Sequence, residues 1–229
     1  MDLALLEALN AARNTRQAVL LETGLESGQQ RLIREADPQD GPLASIYAEC
    51  FRSGKAVRTE GENGPVFIAA YLPPPRLIIT GAVHISQALA PMAMIAGLDP
   101  IIVDPRTGFA TEERFPDSRV IAEWPEDALS DIGVDRYTGL AALTHDPKID
   151  DPALEAALSS DCFYIGALGS RKTHGKRLDR LKAQGFSEDK LAGIHAPIGL
   201  AIGAASPSEI AVAILAEVVA ALRQTGQGT

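Results

Sequence analysis

The run Arg76-Leu77-Ile78-Ile79-Thr80-Gly81-Ala82-Val83-His84-Ile85-Ser86 constrains this chain more than any other stretch. Leu77 to Ile79 predict a short buried strand. The preceding Pro73-Pro74-Pro75, which lacks backbone donors, forbids an earlier ladder partner. Gly81 permits a tight turn, and Ile85 to Ala96 place apolar residues on one helical face. A strand that turns on glycine into a helix leaves backbone N–H groups free at the helix start, a ready anion site. In dinucleotide-binding folds an acid about 20 residues further on bonds a ribose hydroxyl. Asp104 closes the apolar run Pro100-Ile101-Ile102-Val103 and lies 23 positions after Gly81. The full G-x-G-x-x-G fingerprint is missing, because Val83 and Ser86 stand where its later glycines belong. The stretch therefore predicts a Rossmann-like strand, turn and helix, with a branched side chain opposing a dinucleotide in the usual pose.

Strands alternate with helices downstream. Strands are expected at 76–81, 100–104, 119–122, 139–144 and 162–166, with helices at 84–97, 125–132 and 151–160. That rhythm implies right-handed crossovers and a mostly parallel, doubly wound sheet. Upstream the pattern differs. A helix at 2–13, a hairpin of strands 17–22 and 30–34, a helix at 43–53 stopped by Gly54, and a second hairpin of strands 56–60 and 66–72 make a small α+β unit. The fold class read from these patterns is α/β, with an N-terminal α+β domain at 1–72 and a Rossmann-like ligand-binding domain at 73–229. The polar, glycine-rich tail 224–229 is expected to fray.

Bulk properties narrow the function. The 229 residues carry a net charge of −9, which argues against nucleic acid or anionic lipid as the main partner. No apolar run approaches the length of a membrane span and no leader segment is evident, so a cytoplasmic globular protein is expected. Cys50 and Cys162 form neither a disulfide framework nor a C-x-x-C pair. Both are read as buried core thiols, with Cys162 opening the fifth parallel strand.

In an open parallel sheet, ligands bind beyond the carboxyl ends of the strands. There this chain places Gly81, Ala82, Val83 and His84, then Asp104 and Arg106, then Thr144-His145-Asp146-Pro147-Lys148, then Gly166, Gly169, Ser170 and Arg171. The segment Gly166 to His174 is the most anion-like, combining two glycines, a capping serine and the cations Arg171 and Lys172. It lacks Walker A spacing. His145 to Asp151 holds a histidine and three further acids, but Asp151 before Pro152 reads as a helix N-cap rather than a metal ligand. His195 reads as a structural histidine. The helix from Ser208 to Arg223, nearly apolar all round, is either a central packing helix or a homodimer contact. No residue is singled out as catalytic and none as a metal ligand.

Six motifs in order resemble one family: Gly81 to His84, Asp104-Pro105-Arg106, Arg114-Phe115-Pro116, Thr144-His145-Asp146, Gly166 to Arg171, and Ala196 to Leu200 followed by Ser206 to Ala211. This pattern, spanning about residues 73–222, resembles the XdhC/CoxI family. The resemblance implies a non-catalytic accessory factor for molybdenum hydroxylases of the xanthine dehydrogenase type. Such a factor binds the molybdopterin cofactor, supports its sulfuration by a cysteine desulfurase, and delivers it to the apo-hydroxylase. By motif, Gly81, Ala82, His84, Asp104, Arg106, His145 and Gly169 to Arg171 would line its pocket. Where many members carry Gly-Ala-Gly-His this chain has Val83, and residues 1–72 contain no Gly-Gly-Cys motif. The alternatives are an NAD(P)-dependent oxidoreductase, supported by Asp104, and a nucleotide-binding regulatory module.

Overall fold

The computed structural model describes residues 2–38 and 40–225. The described residues form two compact units: the first runs to Pro73 and takes in residues 223–225 at the end of the last helix, and the second spans Pro74–Leu222.

The first unit comprises α1 (Leu3–Asn14), β1 (Val19–Gly24), β2 (Gln30–Arg34), α2 (Ala44–Ser53), β3 (Val57–Gly61) and β4 (Gly64–Tyr71). Its strands form an antiparallel sheet in the order β2-β1-β4-β3. Both expected hairpins are present, and β1 joins them by pairing with β4. Val19, Leu20 and Ile68 are fully buried. Gly54 ends α2 in the left-handed conformation that lets its N–H reach the Cys50 carbonyl. Cys50 is buried at the other side of that turn.

The second unit contains β5 (Arg76–Thr80), α3 (His84–Ile95), β6 (Asp99–Val103), β7 (Arg119–Ile121), α4 (Pro125–Ile132), β8 (Thr138–Ala142), α5 (Pro147–Leu158) and β9 (Tyr164–Ala167). It continues with α6 (Arg171–Ala183), α7 (Glu188–Ala192), β10 (Ile194–His195) and α8 (Pro207–Thr225). The strands pair in parallel in the order β10-β9-β8-β5-β6-β7, the doubly wound Rossmann arrangement. Alternate β5 residues feed two cores. Leu77 and Ile79 pack with Leu89 of α3 and Ile214 and Val218 of α8. Ile78 packs on the other face with Leu140, Leu154 of α5 and Leu181 of α6. Strands buried on both faces explain why the sequence shows continuous apolar runs rather than alternation. The apolar α8 is thus a packing helix along the face carrying Ala211, Ile214 and Val218. Its residues 224 and 225 are helical, and the rest of the tail expected to fray lies outside the described residues. Among the described residues no helix is long and apolar enough to cross a membrane.

Two expectations shift. Asp151 does not cap α5; the helix begins at Pro147, capped by the Asp146 side chain, which accepts the Lys148 N–H at 3.0 Å. Asp146-Pro147 and Asp151-Pro152 carry the same local signal. The earlier pair takes the cap, leaving Pro152 inside the helix without an N–H for the Lys148 carbonyl. Similarly, β9 starts at Tyr164, so half-buried Cys162 precedes the strand instead of opening it. Burial pushes its thiol up to about 12.

Arg76 anchors the amino end of β5. Its side chain, only 4% exposed, donates from Nε to Thr138 Oγ1 at 2.9 Å and from Nη1 to the Ile132 carbonyl at 3.3 Å. It also donates to the Gly133 carbonyl and lies 3.5 Å from Asp135. These contacts satisfy carbonyls at the end of α4, which would otherwise be orphaned. Replacing Arg76 with alanine should destabilise this unit by about 3 kcal/mol, the range for removing one partner of a buried charged network. Urea denaturation should show the lowered midpoint with an unchanged slope.

Candidate functional site

The chain leaves β5 toward β6 and β7, then returns on the other side to β8, β9 and β10. The order of the strands switches direction between β5 and β8, and in such sheets ligands bind beyond the carboxyl ends of the strands at that point.

The β5 exit is built by close approach. Gly81 has φ +104°, and a Cβ there would lie 2.8 Å from Thr144 Cγ2 at the β8 exit. Its N–H donates to the Val103 carbonyl at 2.9 Å. Val83, at the position of a fingerprint glycine, packs against the apolar core. Ser86, at the position of the next, is fully buried and donates its hydroxyl to the Gly81 carbonyl. The two departures from the fingerprint thus stabilise the turn from within. The N-terminus of α3 has no side-chain cap, and His84 in its first turn is exposed.

Asp104 ties the β5 and β6 exits together. It is fully buried. Oδ2 accepts the Ala82 N–H at 2.8 Å and Arg106 Nη2 at 2.6 Å, while Oδ1 accepts the Arg106 N–H at 2.9 Å and Nε at 2.8 Å. Burial alone would raise its pKa, but bonds from the Arg106 side chain and the two backbone N–H groups hold it below the usual carboxylate value. A ribose hydroxyl would meet a carboxylate already carrying four protein hydrogen bonds. The guanidinium of Arg106 is partly exposed and stacks 4.8 Å from the Phe109 ring.

Arg114 completes this corner. Its Nη1 donates to the carbonyls of Ala82 and Phe109, each at 2.9 Å, and Nη2 donates to Gln87 Oε1 at 3.1 Å. The same guanidinium stacks against Phe109 and Phe115. It clamps the segment after β6 onto the Gly81 turn. In sequence Arg114 stands out only within a family motif, because no local pattern signals a partner 32 residues away.

Beyond β8, Thr144 donates its N–H at 3.2 Å and its hydroxyl at 2.7 Å to Asp150 Oδ1. The next residue, His145, is exposed and held in the left-handed region at φ +63°. Non-glycine residues there cluster where structure serves function. Asp151 is engaged by Arg180 through Nε and through Nη2 at 2.9 Å. Among the described residues no three His, Cys, Asp or Glu side chains gather as a metal site.

Beyond β9, Gly166 is covered rather than open: a Cβ would lie 2.7 Å from Ile198 Cδ1. Gly169 turns the chain at φ +137°. Ser170 accepts the Thr173 N–H at 3.2 Å, so α6, unlike α3, is capped by its own side chain. Arg171 and Lys172 follow, both exposed. His195 lies elsewhere, 3.2 Å from Glu217 Oε1 and 4.8 Å from the Tyr164 ring centroid. Glu217 Oε2 also accepts Tyr164 Oη at 2.7 Å and the Gly199 N–H at 2.8 Å, a structural network.

Among the residues expected from the sequence, His84, Arg106, His145, Ser170 and Arg171 thus offer solvent-accessible donors along adjacent strand ends, whereas Gly81, Ala82, Asp104 and Gly166 are buried beneath them. Donors and cations around a free helix start suit a polar, anionic ligand.

A family model described as the XdhC Rossmann domain matches residues 77–218. The chain is 33% identical over 158 residues to the molybdenum cofactor insertion chaperone PaoD of Escherichia coli, covering 69% of this chain and 43% of that protein. It is 32% identical over 155 residues to a probable xanthine dehydrogenase subunit of Bacillus subtilis, covering 67% and 45%. An uncharacterised E. coli protein, YqeB, is 32% identical over 159 residues, covering 67% and 28%. The alignments span less than half the length of these relatives. A crystal structure described as a xanthine dehydrogenase from Bacillus halodurans superposes with a TM-score of 0.67 at 25% identity, covering 97% of this chain and 66% of that one.

Two substitutions test the geometry. Gly81→Ala places a side chain against Thr144 at a strained φ, and should cost roughly 1–3 kcal/mol, read as a lowered thermal midpoint. Asp104→Asn should remove a comparable 1–3 kcal/mol at neutral pH. Because the folded pKa of Asp104 is depressed, its contribution is present above the unfolded value of 3.8 and fades as pH falls through the lower folded value. The difference between wild type and Asp104→Asn should therefore shrink in acid, as denaturation at a series of pH values would show.

Proposed function

This chain belongs to the XdhC family, and from that premise we propose that it is a non-catalytic accessory factor that binds the molybdenum cofactor and hands it to an apo-hydroxylase of the xanthine dehydrogenase type. The observation that carries this reading is that exposed His84, His145, Ser170 and Arg171, with partly exposed Arg106, lie at the carboxyl ends of neighbouring strands, along with an α3 N-terminus without a side-chain cap. The cofactor's pterin bears a phosphate, or a pyrophosphate in its dinucleotide form, and free N–H groups beside cations fit such a group. His84, Arg106, His145 and the Gly169–Arg171 turn would hold it. Gly81, Ala82, Val83 and Asp104 would shape the site's floor, while Gly166 is covered by Ile198. When bound, the cofactor supplies the molybdenum centre of hydroxylase chemistry, which is exercised in the recipient enzyme.

Sulfuration of the cofactor by a cysteine desulfurase while this protein shelters it, and self-association as a homodimer, belong to the same proposal. The thiol of Cys162, raised by burial, is poorly suited to carry sulfur as a thiolate. In this proposal the sulfur comes from the desulfurase partner. NAD(P) binding gains no support from Asp104, whose oxygens are turned toward Ala82 and Arg106.

Purification from cells that make molybdenum cofactor, followed by molybdenum and pterin analysis, tests the reading. We expect bound cofactor near one equivalent in the wild type and a large loss in Arg171→Ala and His84→Ala variants that remain folded. A protein devoid of molybdenum and pterin that binds NAD in calorimetry would overturn the proposal in favour of an oxidoreductase.

A further inference from the structure

A cavity of about 330 Å³ opens between the first turns of α5 and one face of α6. On the α5 side it is lined by His145, Pro147, Asp150 and Asp151, and on the α6 side by Lys172, Thr173, Lys176, Arg177 and Arg180. The α6 residues recur at helical spacing, so they form one stripe. Four cationic side chains face two carboxylates, leaving a local positive excess in a chain whose net charge is −9.

The carboxylates neutralise only part of this stripe, and neither is paired with Lys172 or Lys176. Asp151 is taken up by Arg180. Asp150, only 1% exposed, spends Oδ1 on Thr144, and burial raises its pKa, opposing the charged form. Its Oδ2 has no hydrogen-bond partner and stands 3.9 Å from Arg177 Nη2. Arg177 is the informative residue. It is 2% exposed, and Nη2 donates to the Leu168 carbonyl at 2.9 Å, tying α6 to the turn after β9. Its Nε and Nη1 are buried without any partner. Two unmet donors on a buried guanidinium are costly, and the like charges of Lys172 and Lys176 one turn apart add repulsion. An oxyanion with several acceptors removes both penalties at once.

We propose that this cavity is a phosphoryl-binding subsite, distinct from the α3 N-terminus, in which Arg177 supplies buried donors and Lys172 and Lys176 supply exposed charge. Its occupant is a phosphate group, either free or at the end of a larger ligand. The subsite stands on its own geometry and is tested without the molybdenum cofactor.

The experiment is calorimetric titration of the purified chain with inorganic phosphate and with pyrophosphate, at constant ionic strength set by chloride. The wild type should bind in the millimolar range or tighter. Lys172→Ala/Lys176→Ala changes only exposed residues and should weaken binding about tenfold or more. Asp150→Asn keeps an acceptor for Thr144 while removing a negative charge, and should strengthen binding. Circular dichroism establishes that each variant is folded, so Arg177, whose loss could disturb α6, need not be altered. No phosphate-dependent heat in the folded wild type, or unchanged affinity in the double lysine variant, would overturn the proposal. Repeating the titration on protein carrying the cofactor separates the sources. Competition identifies the occupant as the cofactor's own phosphate, and unchanged binding identifies free phosphate. An absence of bound molybdenum would sink the cofactor reading and leave the phosphate titration fully informative.

Discussion

The buried carboxylate of Asp104 holds the ligand edge together. Through one oxygen it fixes the Ala82 N–H at the β5 exit, and through both it fixes Arg106 at the β6 exit. A fully buried acid would ordinarily be a liability, since burial disfavours its charge. Four hydrogen bonds reverse that preference and convert the acid into a rivet between neighbouring strands. Arg114 then fastens the following loop to the same turn through the Ala82 carbonyl. Both polar groups of the Ala82 peptide region are thereby claimed by the protein, and the turn is stiff before any ligand arrives.

Stiffness at the turn changes what the fingerprint means. In a dinucleotide fold the glycines admit the ligand's phosphates and the distant acid receives the ribose. Here Val83 packs into the core, Ser86 bonds back to Gly81, and the acid faces inward. The strand, turn and helix of that fold are preserved while its ligand contacts are reassigned to structure. What remains exposed is His84 in the first turn of α3 and the polar residues of neighbouring strand ends. Function resides in sites rather than folds, and this turn keeps the fold while altering the site.

The start of α5 has comparable consequences. Because Asp146 rather than Asp151 caps the helix, Asp150 and Asp151 become helical residues directed at Thr144, Arg177 and Arg180. A start five residues later would have put Asp151 on a helix end and left the α6 cations unopposed. Two local Asp-Pro signals of equal quality cannot be ranked without the neighbouring helix, whose cations are more than 20 residues away. The α5–α6 cavity was therefore invisible in the sequence, although each of its cations was in plain view.

By itself the sequence determined the alternation of strands and helices, the buried parallel sheet, the glycine turn at 81 and the gathering of polar residues at strand ends. Those properties follow from local rules: apolar runs of strand length, helix-stop glycines, and the geometry of a parallel sheet. It also carried six ordered motifs sufficient to place the family. Tertiary structure decided which polar residues face solvent and which are spent inside. In sequence Asp104 and Gly166 read as ligand contacts and Arg177 as any other arginine, yet the first is a buried rivet, the second is covered by Ile198, and the third is a buried donor with two unmet N–H groups. The physical reason is that burial and hydrogen bonding are properties of partners brought together across long stretches of chain, and no local pattern encodes them.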